Sequence, residues 1–178
     1  MTEQDMIQLA LNEHFSAAAV IDMDEVVFDP SFRPYCAENL CGQYGANYSC
    51  PPDCGTPAEM EQRMRKFKHV LVFQSKWDIT DYKDHAAIKH AKSTHNQGML
   101  RVIEQLNAAG IHGKMGGASC CSLCDRCAKR DGLPCRDQER MFSCLSAYCI
   151  YVKKLAESCR MEYTCSDGKL AFFGVYAF

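Results

Sequence analysis

The chain has 178 residues, 47% of them apolar and 24% charged, with a formal net charge of −2 and an isoelectric point near 6.3. That balance excludes intrinsic disorder and the basic field through which proteins hold nucleic acid. No run approaches the roughly 20 apolar residues of a membrane span.

Length predicts one domain over residues 1–178, large enough to bury a core without covalent staples. The 13 cysteines therefore need another reason. Their number is odd and they cluster at metal-ligand spacings, unlike a disulfide framework. Met1-Thr2-Glu3-Gln4-Asp5 lacks the basic start of a signal peptide. The expected location is reducing and cytoplasmic.

In chain order, residues 3–14 place Met6, Leu9 and Ala10 on one helical face. Residues 17–28 read as extended around Asp22, Asp24 and Glu25, which an exposed turn between two short strands explains better than a hard-metal site. Cys36, Cys41, Cys50 and Cys54 follow, in a stretch holding Gly42, Gly45, Pro51, Pro52 and Gly55. These glycines and prolines discourage both helix and strand. An irregular loop of this length needs an ordering cause, and metal ligation supplies one.

Thr56, Pro57 and Glu59 form a capping box that restarts regular structure in a helix to about residue 67. Val70-Leu71-Val72-Phe73 then reads as a central strand. A long helix is expected from Asp81 to about Ala109, stopped by Gly110. His85, His90 and His95 lie within it, but spacing of five turns neighbours about 140° apart, so they share no face. His95, on the apolar stripe, reads as a core residue.

Gly113-Lys114-Met115-Gly116-Gly117-Ala118 allows close backbone approach and leads into Cys120-Cys121-Ser122-Leu123-Cys124-Asp125-Arg126-Cys127, closed by Pro134-Cys135-Arg136. Cys121, Cys124 and Cys127 keep the C-x2-C-x2-C rhythm that holds three corners of a [4Fe–4S] cube, with a fourth cysteine arriving later. Zinc sites more often use two separated C-x2-C knuckles. Beyond Cys135, helices are expected over residues 137–144 and 151–157. Two strands, residues 160–165 and 169–178, should flank the Ser166-Asp167-Gly168 turn. Cys159 and Cys165 read as core or free thiols.

Two blocks resemble a family catalogued as domain of unknown function 2284 and described as predicted metal-binding. The first is Cys36-x4-Cys41-Gly42-Gln43-Tyr44-Gly45 with Tyr48-Ser49-Cys50-Pro51-Pro52. The second runs from Gly117 through Cys121, Cys124 and Cys127-Ala128 to Pro134-Cys135-Arg136. The resemblance implies metal binding, with iron–sulfur its expected form, and no settled reaction. Cys54, Cys120, Cys144 and Cys149 stand outside the family's pattern.

The expected fold is α+β: a single mixed sheet of four or five strands, helices mainly on one side, and both cysteine-rich loops at one end. The expected cofactors are two [4Fe–4S] clusters, one on Cys121, Cys124, Cys127 and Cys135, the other on Cys36, Cys41, Cys50 and Cys54. A crossed arrangement would exchange Cys50 or Cys135 between them. Electron transfer with a redox partner protein is the favoured function, with neither nucleic acid nor membrane as partner. The alternatives are an enzyme with an open iron acting on a small sulfur- or oxygen-containing ligand, and a structural zinc protein. No G-x-S-x-G elbow or phosphate-cradling loop offers other chemistry.

Overall fold

A computed structural model describes all 178 residues. Its spine is β2 (His69–Trp77), whose β-branched and aromatic residues alternate between two buried faces. Val70 and Val72 point to one side and Leu71 and Phe73 to the other, all of them at most 1% exposed. β2 pairs antiparallel with β1 (Ala17–Asp22) on one edge and with β5 (Leu170–Ala177) on the other. β3 (Lys114–Gly117) runs antiparallel to β5, and β4 (Ser143–Cys144) parallel to β3. The result is one mixed five-stranded sheet in the order β1-β2-β5-β3-β4.

The two longest helices share one face, as expected. α1 (Glu3–Asn12) and α4 (His85–Ala108) bring Met6, Ala10, Met99, Val102 and Leu106 onto Leu71, Phe73 and Tyr176. The opposite face is not bare. α3 (Pro57–Met64) and α5 (Val152–Ser158) bury Met60, Met64, Leu155 and Ala156 there against Val70, Val72 and Val175, together with the 145–150 segment. A strand apolar on both faces must be covered on both. The fifth helix, α2 (Arg33–Ala37), is a single short turn leading into the first cysteine loop.

The capping box at Thr56 and Glu59 forms as expected, with Pro57 in the first turn. α4 starts later than expected, because Asp84 and not Asp81 caps it: the Asp84 carboxylate accepts the Ala87 N–H at 2.9 Å. Three expectations fail. No second strand follows β1: Met23–Glu25 is a 3-10 turn with Met23 buried, and Phe28 makes only an isolated bridge to Ile150. Residues 137–144 form no helix; Ser143 and Cys144 enter the sheet beside Gly116 and Gly117. This places Phe142 and Leu145 in the cores on opposite sides, an alternation that only an extended chain provides. Residues 160–165 form no strand, since both edges of β5 are already taken by β2 and β3. Glu162 is tied down instead: its carbonyl accepts Gln74 Nε2 at 2.7 Å and its carboxylate meets Lys76 Nζ at 2.5 Å.

The sheet's closest approaches need glycine. A Cβ on Gly113 would lie 2.0 Å from the Ala177 carbonyl oxygen, and one on Gly117 2.7 Å from Asn96 Oδ1.

Candidate metal centre

β3 ends where the second cysteine loop begins, and α4 fixes the exit. Asn96, fully buried on α4, accepts the Ala118 N–H at 2.9 Å and donates through Nδ2 to Ser119 Oγ at 2.9 Å. The chain beyond is almost wholly irregular until β4. Only a short 3-10 turn at Ala128–Asp131 interrupts it, ended by Gly132 in the left-handed region.

Four of the expected ligands come together here. Cys121, Cys124, Cys127 and Cys135 line one pocket of about 360 Å³, counting the part open to solvent, with Leu123, Ala128 and Met141 as apolar wall. Burial raises the Cys121 pKa, and the backbone amides of Leu123 and Phe142 beside it pull it back part of the way. An all-thiol donor set in an apolar wall suits soft or borderline metals, zinc and iron–sulfur clusters above all. The thiols are not drawn onto one point: no three Cys, His, Asp or Glu side chains stand where a single metal ion would hold them.

The first cysteine loop packs directly on the second, so both lie at one end of the molecule. Asn47 and Ser49, both buried, form the joint. Asn47 Nδ2 donates to the Cys121 carbonyl at 3.1 Å, and the Cys121 N–H donates to Ser49 Oγ at 3.0 Å. Ser49 in turn donates from its N–H and hydroxyl to Asn47 Oδ1, each at 3.0 Å. Outside this joint, Tyr48 OH donates to the Leu133 carbonyl at 2.8 Å, Lys129 pairs with Asp53, and Arg130 reaches the Gly42 carbonyl at 3.1 Å. Sequence reasoning missed Asn47, Ser49 and Asn96, since a polar residue in a loop or helix carries no mark of burial.

The members of the first cysteine group part company. Cys50 is buried, and its interaction with the Cys120 thiol lowers the pKa of Cys120 and raises that of Cys50. Cys36 is half-buried at the end of α2, its thiol pushed up by burial and pulled back by Arg33. Cys41 is exposed. Cys54 sits in the core with Met60, Met64 and Tyr148. Cys144, left out of the expected sets, has its thiol pushed up to about 12 by burial. Such thiols ionise readily only when a metal displaces the proton.

The remaining residues take the places expected of them. His95 is 2% exposed, with Nδ1 bonded to Ser75 Oγ at 2.7 Å. Trp77 Nε1 donates to the same hydroxyl at 2.9 Å, and the second ring nitrogen of His95 is Nε2. That Nε2 is buried without a partner. His85 and His90 are exposed and join no ligand group. Cys159 packs against the core and Cys165 is buried. No helix is long and apolar enough to cross a membrane.

A family model described as a predicted metal-binding protein (DUF2284) matches residues 19–176. No curated protein and no solved structure matches the chain.

Proposed function

The chain belongs to this predicted metal-binding family, and from that premise we propose that it is an iron–sulfur protein carrying one or two [4Fe–4S] clusters and acting in electron transfer. One observation carries the reading: Cys121, Cys124, Cys127 and Cys135 line a single pocket, three of them at the spacing that wraps a cube. These four would hold the cluster, which supplies one-electron chemistry when bound.

The chain's own groups suit that task. The amides of Leu123 and Phe142 favour the ionised Cys121 sulfur, and hydrogen bonds to cluster sulfurs raise the reduction potential by favouring the more negative state. Leu123, Ala128 and Met141 restrict water on one side, and burial is a second lever on potential. Four thiolates saturate four irons and leave none for substrate, which favours a carrier over an open-iron enzyme. The buried Asn47–Ser49 joint ties the first cysteine loop to Cys121, so two centres held by the two loops would be neighbours.

Anaerobic purification followed by iron, sulfide and zinc analysis tests this. Brown protein with broad absorption around 400 nm and roughly four iron and four sulfide per cluster is expected, with reversible one-electron reduction. Colourless protein with stoichiometric zinc would replace the reading with a structural thiolate site. An EPR spectrum that shifts when cyanide or a small thiol is added would establish an open iron and refute the carrier.

A further inference from the structure

We propose that Arg33 and Lys114 are the countercations of the thiol centres: each clasps the base of one cysteine loop and supplies the positive charge that the loop's thiolates need once metal is bound. The inference rests on the thiolate metal-binding reading above and adds to it the source of the charge balance.

The two stand out among the cations withdrawn from water. Of the lysines and arginines, Arg33, Lys76, Lys92, Lys114 and Lys129 are partly buried and the rest are exposed. Lys76 pairs with Glu162 and Lys129 with Asp53. Lys92 lies over the Phe172 ring, 5.6 Å from its centroid. Arg33 and Lys114 enter none of the chain's ion pairs and donate to main-chain carbonyls alone. Lys114 Nζ donates to the Met141 carbonyl at 3.0 Å. Arg33 donates from Nη1 to the Gly55 carbonyl and from Nη2 to the Ala147 carbonyl, each at 2.6 Å, and its Nε is buried with no partner at all. A cation taken out of water is costly unless an anion answers it. Burial, with Arg63 as a second cause, lowers the Lys114 pKa accordingly.

Each of these cations also spans the two ends of a cysteine loop. Arg33 lies on α2 just before Cys36, and its Gly55 acceptor directly follows Cys54, so one side chain brackets Cys36, Cys41, Cys50 and Cys54. The same Gly55 carbonyl accepts the Cys54 thiol at 3.8 Å, which sets guanidinium and sulfur on a single oxygen. Lys114 opens β3, and its acceptor Met141 stands in the wall of the pocket lined by Cys121, Cys124, Cys127 and Cys135. This side chain brackets the second loop.

At neutral pH most free thiols keep their protons, so without metal both cations stand unanswered. Metal binding expels those protons and gathers negative charge in the loops that the cations close. Reduction of a cluster adds one electron more. A fixed cation therefore strengthens binding and, at an iron–sulfur centre, raises the reduction potential, for which net charge is a lever.

The test compares Lys114→Gln with Lys114→Arg and Arg33→Gln with Arg33→Lys, each loaded anaerobically with iron and sulfide and, separately, with zinc. Both glutamine variants should bind metal roughly 10–100-fold more weakly in competition with a chelator, and their clusters should be reduced at a more negative potential. The charge-keeping variants should stay nearer wild type in both measurements. Metal-free Lys114→Gln should unfold in urea at the wild-type midpoint or above it, because the charge it loses has no partner in that state. A clasp that merely holds the loops together gives the reverse: a lower metal-free midpoint and an unchanged potential. That result, equal weakening by glutamine and by the charge-keeping residue, or a glutamine variant that cannot fold without metal overturns the charge role at that position and leaves the metal-binding reading intact. A wild type that takes up neither iron nor zinc overturns that reading and this inference with it.

Discussion

Asn96→Ala is the sharpest test of how the fold delivers the second cysteine loop. The side chain is fully buried, and its amide spans the exit of β3. Oδ1 accepts the Ala118 N–H at 2.9 Å and Nδ2 donates to Ser119 Oγ at 2.9 Å, with the Ser119 carbonyl farther off at 3.4 Å. Each good bond is worth about 1 kcal/mol net, and stranding the half-buried Ala118 N–H adds about 1–2 kcal/mol. We expect a loss of about 3 kcal/mol, a large share of the roughly 5–15 kcal/mol that holds a domain folded. For a chain this long that corresponds to a melting temperature lower by about 6–12 °C, read by circular dichroism on metal-free protein. Ala118 and Ser119 immediately precede Cys120-Cys121, so the variant should also yield its metal to a chelator faster than wild type. A melting temperature within about 2 °C of wild type would show that these bonds do not anchor the loop.

Gly113→Ala should cost about 3 kcal/mol or more in urea denaturation, because its Cβ would lie 2.0 Å from the Ala177 carbonyl oxygen and backbone cannot yield as a side-chain tip can. Ser49→Ala leaves the Cys121 N–H without its acceptor and should cost about 2 kcal/mol, with quicker metal loss in the same chelator assay. His95 predicts an acid limb. Burial lowers its pKa to about 3 in the fold, against about 6.5 unfolded, so below pH 6.5 the unfolded chain takes up a proton that the native state refuses. Stability should fall by about 1.4 kcal/mol per pH unit from pH 6.5 towards 3, and His95→Gln should remove about 2 kcal/mol of the difference between pH 7.5 and pH 5; urea midpoints that keep the wild-type slope would contradict this.

The sequence by itself determined the elements whose causes are local. The Thr56–Glu59 capping box, the apolar run of β2 and the glycine- and proline-bearing loop after Cys36 were legible because capping, strand propensity and helix breaking act over a few residues. So was the pocket quartet: Cys121, Cys124 and Cys127 are fixed by one tight loop, and Cys135 lies only eight residues on. Tertiary structure decided everything that depends on who the neighbour is. Residues 137–144 carry helix-compatible charges, but parallel pairing with Gly116 and Gly117 draws Ser143 and Cys144 into the sheet. Residues 160–165 alternate like a strand, but β5 has no free edge for them. Cys54 and Cys144 look alike as residues. One is enclosed in the core beside Met60 and Met64 and the other takes a place on the sheet edge opposite Gly117, because burial and long-range pairing are properties of the packed chain and not of its spacing.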